Sequence, residues 1–161
     1  MKEKVLEKEF IEMIQNHDRI IYKIASFYTD KDTPLSDLYQ EVVLNLWRGF
    51  PLFRGDSKVS TWIYRIVLNT CVSFFRKQKK KPVYVEISKD IAAEQSNNDD
   101  IKELYNLINK LGKLERALVL LYLDEKSYQE MADITGLSLS NVATKLSRIK
   151  NKLKQMSNEL N

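Results

Sequence analysis

The sequence has little of what disulfide bonds, metal sites and tight turns require. Its 161 residues include one cysteine (Cys71), one histidine (His17), four glycines and three prolines. A single cysteine excludes an intramolecular disulfide, and together with one histidine it leaves no set of zinc ligands. Cys71 lies among apolar residues and is predicted to be a small core residue rather than a nucleophile. Because the sequence also lacks a glycine-rich phosphate loop and a nucleophile–base pair, we expect no enzymatic activity, no cofactor and no metal.

Long apolar runs are missing as well. No run approaches the length of a membrane span, and the first ten residues mix both charges without the apolar region of a signal peptide. The hydrophobic content of 43% is enough for a core, and 30% of the residues are charged. We therefore expect a cytoplasmic protein without membrane insertion, built as one domain or two small ones.

The formal net charge of +4 is unevenly distributed along the chain. Residues 1–85 carry 15 basic and 10 acidic side chains, residues 86–101 carry 1 and 5, and residues 102–161 carry 10 and 7. Two basic regions separated by an acidic one fit a polyanion that is held at two places.

The few glycines and prolines fall between long segments of helical periodicity, and no segment alternates convincingly with period two. The predicted fold class is all-α, with two small helical domains, residues 1–81 and 101–161, joined by a flexible acidic linker over residues 82–100. Helices are predicted over approximately 5–28, 34–49, 60–79, 101–111 and 114–123, followed by a helix-turn-helix over 127–153.

The helix-turn-helix is predicted from its caps. Ser127 and Glu130 have the spacing of a capping box, and Gly136 stands where the first helix must end in a left-handed conformation. Ser138 or Ser140 then caps the second helix. A small residue before the turn glycine and an apolar residue after it, here Ala132 and Val142, allow the two helices to pack closely at the corner.

The second helix of this motif has two contrasting faces. Its inward stripe consists of Val142, Leu146, Ile149 and Leu153. Its opposite face carries Ser140, Asn141, Thr144, Ser147, Arg148 and Asn151, flanked by Lys145, Lys150 and Lys152. Short donors and acceptors beside cations suit the DNA major groove and its phosphates. The alternative is an ordinary helical hairpin whose polar face is solvated.

The helix over 60–79 is apolar around much of its circumference, but one polar stripe interrupts it. The stripe consists of Thr61, Arg65, Asn69, Ser73 and Arg76. It continues into the run Arg76-Lys77-Gln78-Lys79-Lys80-Lys81, which places five cations in six residues. Such a track fits nucleic-acid phosphates, and a solvated run of charges is the alternative.

Two further features precede this helix. The loop over 51–59 places Arg54 and Lys58 beside Phe53, a combination that can hold a phosphate and stack on a base. A loop whose Phe53 simply packs into the core is an equal alternative. The helix over 34–49 has a polar stripe made of Asp37, Gln40, Glu41, Asn45 and Arg48, which taken alone is typical of a solvent-exposed face.

Taken in order, these elements resemble the extracytoplasmic-function (ECF) type of bacterial sigma factor, in its minimal two-domain form. The segment from Asp37 to Trp47 is similar to the family's polymerase-binding helix. The segment from Phe53 to Asn69 is similar to its promoter-melting and −10-reading segment. The basic end of that helix, the acidic linker and the C-terminal helix-turn-helix follow in the family's order.

The resemblance implies a role for each site. Asp37, Gln40 and Glu41 would face the clamp helices of the largest subunit of core RNA polymerase. The loop with Arg54 and Lys58 would capture a flipped base of the non-template strand. The −10 element would be contacted by Thr61, Arg65 and Asn69, with Arg76 and Lys77 on phosphates, and the −35 element by Ser140, Asn141, Thr144, Lys145 and Arg148. Trp62 is expected to pack rather than to act as a base wedge.

The implied function is that of a specificity subunit, with core RNA polymerase and duplex and single-stranded promoter DNA as partners. Because many family members are held inactive by an anti-sigma factor, such a protein is a further candidate partner. The alternatives are a standalone helix-turn-helix regulator and a protein-interaction adaptor whose basic patches are incidental. A regulator needs no trap for single-stranded DNA, so the helix over 60–81 argues against it.

Overall fold

The computed structural model describes residues 2–77 and 99–159; for Phe75, Arg76 and Lys77 it describes the backbone alone. Within these residues the regular structure is entirely helical, which confirms the predicted all-α class. The helices are α1 (Lys2–Ser26), α2 (Leu35–Gly49), α3 (Val59–Lys77), α4 (Asp99–Asn109), α5 (Lys113–Leu123), α6 (Tyr128–Thr135) and α7 (Leu139–Glu159), with a 3-10 turn at Phe50–Leu52.

The chain divides into two compact units, residues 1–80 and residues 81–161. In the first unit, α1, α2 and α3 pack against one another. Leu38, Val42 and Leu46 repeat at helical spacing along α2 and are fully buried. Cys71 of α3 is also fully buried, and burial raises the pKa of its thiol because the charged thiolate is poorly solvated there. The prediction that Cys71 is a core residue is confirmed.

The start of α2 differs slightly from the prediction. Pro34 occupies the N-cap position with extended backbone angles (φ −63°, ψ 150°), one residue before the helix begins. The first helical residue is therefore Leu35 rather than Pro34. The difference is small because proline suits both places: it has no N–H group, and its fixed φ directs the chain into the helix.

The second unit consists of α4 to α7 around its own apolar core, which includes Ile108, Leu118 and Met131. Among the described residues of this unit, one charged side chain is buried: Arg116 of α5 is 4% exposed. Its Nη2 donates to the backbone carbonyl of Asn109 at the end of α4 (2.9 Å) and to that of Leu111 two residues beyond it (3.1 Å). Arg116 thereby supplies donors to carbonyls that the end of a helix leaves without a partner.

The predicted linker is mostly outside the described residues, which resume at Asp99. Asp99 and Asp100 form the first turn of α4 rather than the end of a linker. Two carboxylates at a helix N-terminus interact favourably with the partial positive charge of the helix dipole there. Among the described helices, none is both long enough and apolar enough to cross a membrane.

The turn between α6 and α7 gives a first testable prediction. Gly136 has a φ of 80°, in the left-handed region, and its N–H donates to the Ala132 carbonyl (2.9 Å). We expect Gly136→Ala to destabilise the second unit by about 1–2 kcal/mol, since a Cβ is strained in this conformation. Gly136→Asn should cost less, because asparagine tolerates left-handed angles. Chemical denaturation of the three proteins measures this, and equal stability of all three would contradict it.

Candidate nucleic-acid interface

The helix-turn-helix is present where the sequence predicted it, formed by α6 and α7. Ser127 caps α6: its hydroxyl accepts the Glu130 N–H (3.1 Å). The reciprocal half of the predicted capping box is not formed, because the Glu130 carboxylate accepts from the Ser127 hydroxyl (3.2 Å) instead of the backbone. Of the two candidate caps of α7, the structure selects Ser138, whose Oγ accepts the Asn141 N–H (3.2 Å).

Helix α7 separates an apolar face from a polar one, as its sequence indicates. Val142, Leu146 and Ile149 are buried against the rest of the unit. The predicted DNA-contacting side chains on the other face are Ser140, Asn141, Thr144 and Arg148, all exposed, and Lys145, which is half-buried. The second unit therefore presents an exposed face of short polar side chains that includes Arg148, with the half-buried Lys145 beside it.

Two of the lysines expected to flank this face are used within the protein. The Lys150 ammonium lies 4.3 Å from the ring centre of Tyr122 on α5, and hydrogen bonding to Tyr122 raises the Lys150 pKa. Lys152 donates to the Glu115 carboxylate at 3.2 Å. These pairs join α7 to α5. The helical pattern of α7 alone could not predict them, since Tyr122 lies 28 residues before Lys150 and Glu115 lies 37 residues before Lys152.

The polar stripe of α3 is shorter than predicted. Arg65, Asn69 and Ser73 are exposed, but Thr61 is only 7% exposed. The reason is geometric: residues spaced by four drift by about 40° per step around an α-helix. Three such steps separate Thr61 from Ser73, so Thr61 lies about 120° away from it, on the side that faces the core. Thr61 is therefore not part of the exposed surface.

The basic end of α3 is described only in part. Arg76 and Lys77 form the last residues of the helix, and their side chains, like residues 78–81, lie outside the described residues. The predicted phosphate-binding role of this run stays a prediction.

The loop before α3 exposes its two cations and packs its aromatic residue. Arg54 and Lys58 are exposed, and the chain turns at Gly55, whose φ is 78°. The ring of Phe53 lies 5.0 Å from that of Trp62, with 33° between the planes. Trp62 also approaches Phe50 (6.3 Å), so it packs within an aromatic cluster, as expected. Of the two interpretations of Phe53, the structure favours the packed one.

The polar face of α2 continues into apolar side chains that remain partly exposed to solvent. Asp37 and Gln40 are exposed and Glu41 is half-buried. One turn further along α2, Leu44 is 46% exposed and Trp47 is 38% exposed. Trp47 is only partly covered: the centres of its ring and of the Phe10 ring lie 5.0 Å apart in a T-shaped arrangement. Large apolar side chains exposed next to one another, with an aromatic residue among them, are a feature of protein-binding faces.

A cleft of about 290 Å³ opens between α2 and α3. Glu41 and Asn45 line it from α2, and Asn69, Thr70 and Ser73 line it from α3. The cleft brings together Glu41, predicted to bind polymerase, and Asn69, predicted to bind DNA. Helical periodicity could not predict this proximity, because the two residues lie on different helices.

Family models match both units of the chain. The family model for Sigma-70 region 2 matches residues 13–81, and that for Sigma-70 region 4 matches residues 101–153. RNA polymerase sigma factor YlaC of Bacillus subtilis is 33% identical over 130 residues, which cover 74% of this chain and 75% of that protein. The ECF RNA polymerase sigma-E factor of Escherichia coli is 26% identical over 178 residues, covering 92% of each chain.

A solved structure has the same fold. The sigma factor RpoE of Bartonella quintana, crystallised with the anti-sigma factor NepR, superposes with a TM-score of 0.72 at 19% identity, over 94% of this chain and 98% of that one. Sigma-70 regions 2 and 4 occur here in their family order, and the standalone regulator is not favoured. The chain belongs to the ECF sigma factors, a family not known as enzymatic, and is a sigma factor that directs RNA polymerase to promoters.

Proposed function

We propose that the two units divide promoter recognition between them. Residues 1–81 bind core RNA polymerase, recognise the −10 element and stabilise the melted non-template strand. Residues 101–161 recognise the −35 element, and residues 82–100 connect the two. The observation that carries this proposal is that each unit exposes its own polar, cation-bearing surface, on a helix that lies within a matched Sigma-70 region.

The −35 element is bound by the exposed face of α7. Its first two turns present Ser140, Asn141 and Thr144, whose hydroxyl and amide groups can donate to and accept from base edges. Arg148 lies one turn further on and supplies a guanidinium for a guanine or a phosphate. Because Lys150 and Lys152 are engaged with α5, Lys145 and Arg148 supply the positive charge nearest to the DNA.

The −10 element and the separated strand are bound by the first unit. Arg65 and Asn69 on α3 contact the upstream part of the element, and Arg54 and Lys58 hold the phosphates around an unpaired base. Unstacking a base costs a few kcal/mol. Contacts made only with the open strand lower the free energy of the open promoter and not that of the duplex, so they shift the equilibrium toward opening.

Core polymerase is bound by the face of α2 that combines Asp37, Gln40 and Glu41 with the exposed Leu44 and Trp47. Within the described residues, the carboxylates of Asp37 and Glu41 have no intramolecular ion pair, which leaves them available for cations of the polymerase clamp helices. The apolar pair supplies area that association removes from water.

The mechanism needs no chemistry by the sigma factor itself. Holding both units on one polymerase makes the second DNA contact effectively intramolecular, so each contact strengthens the other. Transcription takes place in the cytoplasm, where we place the protein. An anti-sigma factor, of the kind bound to the Bartonella quintana protein, would inactivate this chain by covering one of these surfaces.

Purified components test the proposal directly. The protein should co-elute with core polymerase, and the holoenzyme should start transcription at promoters mapped by start-site sequencing after overexpression. A protein that shifts duplex DNA but leaves core polymerase inactive would be a standalone regulator, and the proposal would be wrong.

The role of Arg148 gives a second prediction. Arg148→Ala should weaken transcription that depends on the −35 element by about 1–3 kcal/mol, as expected for loss of a bidentate contact to a base. Lys102→Ala is the control, because it removes the same charge from an exposed position on α4. An unchanged footprint over the −35 element in Arg148→Ala would remove this residue from the site.

A further inference from the structure

A hydrogen bond crosses the interface between α2 and α3. Asn45 Nδ2 donates to Thr70 Oγ1 at 2.9 Å, and Arg48 Nη1 lies 3.4 Å from the Asn45 Oδ1 that accepts its proton. Thr70 is buried and Asn45 is half-buried. The residues that α2 itself buries, Leu38, Val42 and Leu46, are all apolar. A polar contact is therefore set beside a hydrophobic interface.

This bond lies where the two proposed surfaces of the first unit meet. Asn45 follows Glu41 by one helical turn, and Thr70 is the neighbour of Asn69 in the sequence. All four residues line the same cleft. Since Thr70 is buried whereas Asn69 is exposed, the bond occupies the inner end of the cleft, with the polymerase-facing carboxylate on one wall and the DNA-facing amide on the other.

The hydrogen bond restricts the rotation of α3 against α2 more tightly than apolar packing does. Burial of apolar area is not directional, so by itself it sets the rotation of one helix against another only loosely. A hydrogen bond weakens steeply as its angle departs from linearity. A rotation of α3 relative to α2 that breaks this bond also leaves a buried hydroxyl without that partner, which is unfavourable.

We infer that Asn45 and Thr70 are positioning residues that hold the DNA-binding stripe of α3 in a fixed orientation on the polymerase-bound α2. The inference rests on the proposed function and concerns coupling rather than contact. With the bond intact, α3 keeps its orientation on α2 while it binds the open strand, so all of the binding energy stabilises the open promoter. Without it, α3 can rotate to reach the strand, and part of that energy is lost. Polymerase affinity is unaffected, because the face with Asp37, Gln40 and Glu41 is unchanged.

Two substitutions at one position separate the hydrogen bond from the shape of the side chain. Thr70→Val keeps the branched shape and removes the hydroxyl, and Thr70→Ser keeps the hydroxyl. With saturating sigma factor on core polymerase, we expect Thr70→Val to lower the equilibrium constant for promoter opening, measured by permanganate reactivity, by about tenfold, the factor that corresponds to one lost hydrogen bond. The Kd for core polymerase should stay within about twofold, the usual limit for sites that do not interact. Thr70→Ser should open promoters as the wild type does.

Asn45→Ala completes the experiment as a double-mutant cycle. If the two side chains act through one bond, Asn45→Ala combined with Thr70→Val should be no worse than the more affected single variant. Additive effects would overturn the inference. So would equal opening by the valine and serine variants, or a rise in the polymerase Kd that matches the loss of opening, since that pattern describes general damage to the unit. If the wild-type holoenzyme opened no promoter, the proposed function itself would be wrong.

Discussion

Glu41→Lys is expected to weaken the binding of this sigma factor to core polymerase by about 2 kcal/mol or more, which is about 30-fold in Kd. Glu41 is half-buried at the rim of the α2–α3 cleft, beside the exposed Gln40 and Leu44. At such a position the substitution removes the attraction between the Glu41 carboxylate and a clamp-helix cation, and it adds repulsion between that cation and the new ammonium group. The loss should appear in an equilibrium titration of labelled sigma factor with core polymerase, and it should shrink as salt is added.

DNA binding by the same variant shows whether the substitution has unfolded the protein. A lysine at position 41 can extend its ammonium into water while its methylene chain covers the cleft, so the first unit should stay folded. Binding of the isolated protein to duplex −35 DNA depends on α7 and should be unchanged. Glu7→Lys, an equal charge change at an exposed position of α1, should retain polymerase binding. Parallel loss of DNA binding and polymerase binding in Glu41→Lys would instead mean that the substitution unfolds the chain.

The parts of this structure that local sequence determines were predictable. Gly136 could be placed at the end of α6 because a left-handed turn residue is almost always glycine, and Cys71 could be placed in the core from the apolar residues around it. The residue that caps α7 could be narrowed only to two serines. Ser138 and Ser140 are both good N-caps, and only the point at which α7 begins decides between them.

What the sequence could not supply is which residues of different helices meet. The sequence predicts Thr61 in an exposed stripe because its spacing of four from Arg65 is close to one helical turn. Each such step adds about 40° of rotation, and over three steps this turns Thr61 toward the core. The pairing of Asn45 with Thr70, and of Lys150 with Tyr122, joins residues about 25 apart or more. Periodicity identifies the face of a helix but not its neighbour, so the cleft and its hydrogen bond appear only in three dimensions.

Leu146→Ala is expected to remove −35 recognition while leaving polymerase binding in place. Leu146 is 1% exposed at the centre of the buried face of α7. Truncating a buried leucine costs about 2–5 kcal/mol. A unit of about sixty ordered residues has a total stability of about 3–9 kcal/mol, so this single change removes much of it. Thermal unfolding followed by circular dichroism should show a destabilised second unit, and the footprint over the −35 element should be lost at moderate temperature.

Leu139→Ala provides the matched control, because it makes the same chemical change on the same helix at a side chain that is 50% exposed. We expect it to change stability by no more than about 0.5 kcal/mol, the usual range for surface positions. The Kd for core polymerase should stay near the wild-type value in both variants, since α1, α2 and α3 have their own buried core. If Leu146→Ala weakened polymerase binding as strongly as −35 binding, the two units would not fold independently, and the division of labour proposed for them would fail.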